Sequence, residues 1–296
     1  MTLRLRDHVF DPRPGRPLLM GIVNAGPDSF SDAMRLRTLE AQLAHARRLV
    51  AEGADIVDVG AESGVTYTPA SAAEVEIERV VPLVERLAAD GVAVSVDTWK
   101  PAVAAAALEA GAAMINDTSG LRDVALAERC AATGAALVVM HTRAAPKQAR
   151  FADYGGDVVG DVLAFLAERR GVAQAAGVPD DRIVLDPGPD FAKTPAETVE
   201  VLRAIDRLHA LGHPLLLAVS RKYFLGAITG RAPAERLAAT LAAVGWAAEH
   251  GAAIVRVHEV AAADDFLRVR RVLGGAEAMP AFDADDDALK WIRARG

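Results

Sequence analysis

The stretch AEGADIVDVGAES, residues 51–63, decides the fold. It opens on the last turn of an amphipathic Ala/Leu-rich run, Leu39–Glu52, and passes through Gly53, the residue type that closes a helix in the left-handed conformation. It then enters a short β-branched run, Asp55–Val59, and reaches the ionisable Glu62. This order of helix, glycine, apolar strand and polar residue recurs along almost the whole chain. Strands are predicted at Leu18–Val23, Asp55–Val59, Ala93–Val96, Ala113–Ile115, Leu137–Met140, Ile183–Leu185, Leu215–Val219 and Ile254–Val257. Helical runs between them include Leu39–Glu52, Ala72–Ala89, Ala102–Ala110, Val158–Ala176, Ala196–Leu211 and Ala234–Glu249, and glycines such as Gly91, Gly134, Gly212 and Gly251 close several of them.

Continuous apolar strands require a sheet covered on both faces. Eight consecutive βα units without a linker-like break predict one α/β domain, a (β/α)8 TIM barrel over residues 1–278. An open doubly wound sheet is the alternative, but no Gly-x-Gly-x-x-Gly follows the first strand. Residues 279–296 read as a tail forming a short helix, with its acidic run a solvated cap.

Composition narrows the partners. A net charge of −7 argues against a general nucleic-acid or membrane-surface binder, and no apolar run is long enough to span a bilayer. The N-terminal residues lack an apolar signal core. The one cysteine, Cys130, excludes an internal disulfide and fits a reducing compartment, so a cytoplasmic protein is expected. The Ala-rich run with Trp246 is a candidate homodimer face, with ordinary packing on the barrel as its alternative.

In a barrel of this kind, chemistry sits on the loops after the strands. Here each strand is followed by a polar or ionisable group. In order these are Asn24, Glu62, Asp97, Asn116 with Asp117, His141, Asp186 and Ser220-Arg221-Lys222, with Arg256 and His258 flanking the end of the eighth. Helix capping accounts for a single Asp or Asn, but caps do not call for Lys, Arg and His. Asp97, Asn116 and Asp186 suit the donor-rich edge of a fused nitrogen heterocycle. Lys222, Arg256 and His258, with Asn24, offer charge-assisted donors to phosphate-like oxygens or a ring carbonyl. Ser220 precedes an expected helix start, whose backbone N–H groups can hold a carboxylate or phosphate. HExxH, cysteine-pair and Walker-type motifs are all missing from the sequence.

At these residues the chain resembles the dihydropteroate synthase family over nearly its whole length. The segments are LMGIVNAGPDSFSD (19–32), GADIVDVGAES (53–63), SVDTWK (95–100), INDTSG (115–120), VVMHTR (138–143), VLDPGPDFAKT (184–194), SRKYFLG (220–226) and RVHEV (256–260). The resemblance implies condensation of 6-hydroxymethyl-7,8-dihydropterin diphosphate with p-aminobenzoate, releasing diphosphate on the way to folate. It implies that Asp97, Asn116, Asp186 and Lys222 hold the pterin, and that Asn24, Arg256 and His258 bind the diphosphate. Mg2+ would lie near Asn24. Ser220, Phe191 and Lys193 would meet the aminobenzoate, and Lys222, Arg256 and Asp97 would carry catalysis.

The acceptor half departs from the family pattern. After Glu62-Ser63 the family reads Thr-Arg-Pro-Gly, whereas this chain has Gly64-Val65-Thr66-Tyr67; Arg143 or Lys147 could restore the lost charge from another loop. Gly26 is expected to loosen the first loop. Asp190 and Ala192 stand where the family has Gly, and an inward Asp190 would disfavour aminobenzoate. Three readings follow: the synthase, a divergent paralogue binding the pterin diphosphate with another amine or none, and a pterin-dependent methyltransferase. The methyltransferase is disfavoured because Lys222, Arg256 and His258 suit a diphosphate that a methyl donor lacks.

Overall fold

The computed structural model describes residues 2–26, 38–62, 70–148 and 150–281. A hairpin of β1 (Leu3–Leu5) and β2 (His8–Phe10) comes first. The barrel strands are β3 (Leu18–Asn24), β4 (Ile56–Gly60), β5 (Val94–Asp97), β6 (Met114–Asp117), β7 (Ala136–Met140), β8 (Ile183–Asp186), β9 (Leu216–Leu217) and β10 (Ile254–Val257). The helices are α1 (Leu39–Ala51), α2 (Ala73–Ala89), α3 (Pro101–Glu109), α4 (Ala125–Thr133), α5 (Val158–Ala175), α6 (Pro195–Arg203), α7 (Ile205–Leu208), α8 (Tyr223–Thr229), α9 (Leu237–Glu249) and α10 (Val260–Leu273).

The eight-stranded sheet is parallel in the order β8-β7-β6-β5-β4-β3-β10-β9. A bridge between Leu185 and Leu215 joins its two edges, so the barrel is closed and the open-sheet alternative falls. The seventh barrel strand, β9, is shorter than the predicted Leu215–Val219; its laddered residues pair with β10 alone, and Pro214 meets β8 only through its carbonyl, which accepts from Leu185 N at 2.9 Å. The predicted helix Ala196–Leu211 is broken at Ala204 into α6, α7 and a 3-10 turn, His209–Leu211, closed by Gly212 at φ +76°. Helix α6 is well started: Thr194 and Glu197 cap one another's backbone N–H.

Two apolar layers follow from the period-2 geometry of the strands. Leu19, Val57, Ile115, Leu137, Leu185, Leu217 and Val255 face the helices. Met20, Ile56, Met114, Val138, Val184, Leu216 and Ile254 face the barrel interior, where Leu3 and Leu5 join them. The hairpin is therefore a plug at the bottom of the barrel, and both leucines are fully buried. Each is worth roughly 1.5–3 kcal/mol of burial. Arg6 fastens the hairpin's turn, donating from Nη2 to Leu108 O at 2.6 Å. Closing the bottom leaves the C-terminal end of the strands as the open mouth. The predicted tail helix falls on residues beyond 281, outside the described residues.

Candidate active site

Two residues beyond the interior hydrophobes, the same inward faces turn polar. Ile56 is followed by Asp58, Met114 by Asn116, Val184 by Asp186 and Ile254 by Arg256, and Asp97 lies beside Asn116 in the ladder. Arg256 donates from Nε to Asp58 Oδ2 at 2.6 Å and from Nη2 to Asp97 Oδ2 at 3.2 Å. Asn116 Nδ2 donates to the same Asp58 oxygen at 3.2 Å. Burial raises Asp97's carboxyl to about 7, with Arg256 pulling against the rise and Asp58 adding to it. Asp186 is likewise raised to about 6 by burial, against the Gly188 N–H and the charge of Lys222. Asp58 is fully buried and was missed by a reading that sought polar groups after the strands, because it lies inside one. Both the Asp58 Oδ1 and the Asn116 Oδ1 are buried with no protein partner, so the layer holds acceptors unmet by the fold itself.

Lys222 precedes α8, and its Nζ lies 4.4 Å from the centre of the Phe191 ring. Burial depresses its ammonium below the usual lysine range, while Asp190 and Asp186 pull it back up. Ser220 precedes α8, as expected, by three residues. The left-handed Arg221 (φ +57°) turns the chain after it, and α8 begins only at Tyr223. Ser220 Oγ lies 2.9 Å from His258 Nδ1 and accepts from His258 N at 3.3 Å. The amides at the start of α8 instead meet Asp190, whose carboxylate accepts from Tyr223 N and, at 3.3 Å, from Phe224 N. Asp190 thus caps a helix. His258 is not the charged donor expected: burial and the nearby Arg221, Arg256 and Lys222 push its pKa down to about 3, leaving a neutral ring.

Other strand-end groups are committed to holding loops. Asp117 accepts from Ser119 N and Leu121 N, shaping the turn after β6. Arg221 pairs with Glu259. Glu62 binds Lys100 at 2.6 Å and Lys147 at 3.2 Å, and Lys100 also pairs with Glu76. Arg143 is paired with Asp161 at 2.6 Å, so neither Arg143 nor Lys147 is a spare cation for the second loop. Residues 64–67 of that loop lie outside the described residues. Gly26 has a steric reason rather than a need for looseness: a Cβ there would collide with the Ala61 carbonyl oxygen.

His141 and Lys193 are both fully buried behind the mouth. Lys193, expected beside the aminobenzoate subsite, contacts His141 Nδ1 through Nζ at 2.7 Å and donates to Gly188 O at 2.9 Å, with no exposed atom. Burial lowers Lys193 to about 7 and His141 to about 3. Asn24 ends β3 beside Gly60 of β4, on the same rim. No group of three His, Cys, Asp or Glu suited to a metal occurs among the described residues.

The inward layer thus carries buried acceptors with Arg256 bonded among them, and Lys222 lies at its edge over Phe191. The family model for pterin binding enzymes matches residues 20–258, which span β3 to the end of β10. The chain belongs to the dihydropteroate synthase family of pterin-binding enzymes. It is 40% identical over 259 residues to the type-2 dihydropteroate synthase of Escherichia coli, covering 86% of this chain and 96% of that protein. Among solved structures, it resembles the Xanthomonas albilineans dihydropteroate synthase with 4-aminobenzoic acid at TM-score 0.84 and 41% identity, covering 94% of this chain and 99% of the other. The same enzyme in complex with 7,8-dihydropteroate aligns at TM-score 0.82 and 41% identity, over 95% and 100% of the two chains. Family membership and the polar layer meet in the same strands.

Proposed function

We propose that this chain is a transferase that condenses 6-hydroxymethyl-7,8-dihydropterin diphosphate with p-aminobenzoate and releases diphosphate. The observation that carries the reading is the inward layer of Asp58, Asp97, Asn116 and Asp186, in which Arg256 binds Asp58 and Asp97, Asn116 binds Asp58, and the charge of Lys222 acts on Asp186. The ionised carboxylates would accept the ring's N–H donors, and Lys222 would donate to its acceptor edge. In the step itself the methylene C–O bond breaks, diphosphate leaves with the electron pair, and the aniline nitrogen bonds to the methylene carbon and sheds a proton. Arg256, Asn24 and a neutral N–H of His258 would hold the departing diphosphate, so that charge develops against preset donors. Such a displacement needs no protein nucleophile.

Asn24 offers one hard oxygen ligand and no carboxylate cluster stands near it among the described residues. That set suits Mg2+ carried in on the diphosphate, which would take its other ligands from phosphate oxygens and water and neutralise leaving-group charge. Phe191 would face the acceptor ring, with Ser220 acting through His258.

A second reading, an enzyme with the same donor and another amine, is favoured by Asp190, whose carboxylate already takes the amides that begin α8. One assay separates the two: diphosphate release from the pterin diphosphate with Mg2+, with and without p-aminobenzoate. Release that depends on aminobenzoate, with dihydropteroate formed, supports the synthase. Tight pterin binding without turnover defeats it and leaves the second reading.

The reading also implies a homodimer. Its support is an apolar cleft of 330 Å3 lined by Leu202, Val219, Phe224, Ile228, Ala243 and Trp246 on the outer side of α6, α8 and α9. Light scattering at twice the 31.1 kDa chain mass is the expected result. A cytoplasmic setting agrees with the buried, free thiol of Cys130. No described helix is long and apolar enough to cross a membrane.

A further inference from the structure

A lysine is almost never fully buried unless it is paired, and Lys193 is buried without any exposed atom. Its ammonium has three hydrogens to place. The neighbours are His141 Nδ1 at 2.7 Å, Gly188 O at 2.9 Å, Phe191 O at 3.2 Å and His141 O at 3.4 Å. One side chain thus ties the end of β7 to the loop after β8. That loop is sharply bent: Gly188, Asp190 and Ala192 all have left-handed backbones, at φ +64°, +65° and +56°. Two of those residues carry a Cβ, a conformation that persists only when its surroundings over-determine it. Two of the carbonyls that Lys193 holds, those of Gly188 and Phe191, lie within this bend.

The far side of the relay is equally defined. His141 is neutral, so its tautomer follows from its partners: Nε2–H donates to Asp161 Oδ1 at 2.8 Å, and Nδ1 accepts from Lys193. Asp161, on α5, is held in turn by Arg143. Phe165 packs edge-on against the imidazole, with ring centres 4.9 Å apart. On the near side, the loop presents Phe191 beneath Lys222 and Asp190 against the start of α8. Neither His141 nor Lys193 reaches the mouth.

We propose that Lys193, backed by His141 and Asp161, is a positioning residue that fixes the loop carrying Asp190 and Phe191 and so sets the acceptor side of the site. The inference rests on the transferase reading above. Of the groups proposed to meet the pterin, Asp58, Asp97, Asn116 and Arg256 are borne by β4, β5, β6 and β10, whose register does not depend on this lysine, so the two substrates should respond differently.

The test uses the full chain with Lys193→Met, Asp161→Ala and Asp161→Asn. Lys193→Met is expected to raise KM for p-aminobenzoate by about tenfold or more, with KM for the pterin diphosphate changing less than about twofold. Asp161→Ala should show the same split more weakly. Asp161→Asn should resemble the parent, because a carboxamide oxygen still accepts from His141 Nε2. Backbone hydrogen exchange gives a readout that needs no turnover: amides of residues 188–193 should exchange faster in Lys193→Met and Asp161→Ala, with β8 unchanged. Equal rises in both KM values would overturn the positioning role, as would unchanged KM values. Unaltered exchange in residues 188–193 would overturn it too, even if the parent protein shows no aminobenzoate-dependent release and the transferase reading itself fails. Should Lys193→Met not fold, Asp161→Ala, altered at a partly exposed side chain, decides alone.

Discussion

Asp58→Ala is the substitution that best probes the central layer. Asp58 is fully buried, and one of its oxygens accepts from both Arg256 Nε, at 2.6 Å, and Asn116 Nδ2, at 3.2 Å. Removing one partner of a buried ion pair costs roughly 3–5 kcal/mol, because the other charge is left uncompensated. Here Arg256 keeps Asp97 at 3.2 Å, which places the cost at the low end, about 3 kcal/mol. For a chain of this size that corresponds to a fall in Tm of roughly 5 °C by thermal unfolding. Asp58→Asn retains an oxygen for Arg256 and loses only the charge, so its fall should be about 1 kcal/mol. The order parent, Asn, Ala is the signature. The charge that helps raise Asp97 is lost in both variants, so Asp97's pKa should also drop. Asp58→Ala within about 0.5 kcal/mol of the parent would refute the reasoning, since that is the size of an ordinary surface substitution.

Three further outcomes are expected. Asp97 titrates at about 7 and Asp186 at about 6, and a ring offering N–H donors favours their ionised forms, so binding lowers both pKa values. A pterin ligand should therefore release protons around pH 6 to 7 and bind more tightly as pH rises through that window; calorimetry in two buffers of different ionisation enthalpy would detect proton uptake or none if this is wrong. Ala192→Gly should raise stability by about 0.5 kcal/mol, because relief of a left-handed alanine at φ +56° exceeds the glycine's extra chain entropy; a lower Tm would contradict it. Asp190→Gly frees the amides of Tyr223 and Phe224 and suits glycine at φ +65°, so KM for p-aminobenzoate should fall by about tenfold, and an unchanged or higher KM would show that Asp190 does not compete with the acceptor.

The barrel was legible because its signals are local. A glycine such as Gly53, at φ +106°, ends a helix, and a β-branched run follows. The hairpin was not legible, because Leu3 and Leu5 alternate over only three residues and find their partners at the barrel floor, far along the chain. Among site residues, Asp97, Asn116, Asp186, Lys222 and Arg256 were readable as polar groups where apolar strands stop. Asp58 was not sought, although the two-residue step from Ile56 that puts one side chain inside puts the next there as well. Ser220, His258 and Lys193 were named, but their surroundings were beyond the sequence. A left-handed Arg221, three cations around an imidazole and a buried lysine held by three residues are all tertiary facts.

The two halves of the site are held by different physics. The groups proposed to face the pterin on β4 and β6 have their register locked by a closed ladder, and a one-residue slip would turn Asp58 and Asn116 away from the interior and into the apolar layer under the helices. Their geometry is therefore as durable as the barrel. The acceptor-facing groups sit on a loop whose bend is maintained by side chains, with Lys193 behind it and Asp190 across to α8. Such a loop can be re-aimed by one substitution without unfolding anything. This is where the chain departs from the family pattern at Asp190 and Ala192. A change of acceptor preference with the donor site intact is the kind of divergence this architecture permits. The relative KM values of the two substrates report it more directly than turnover does.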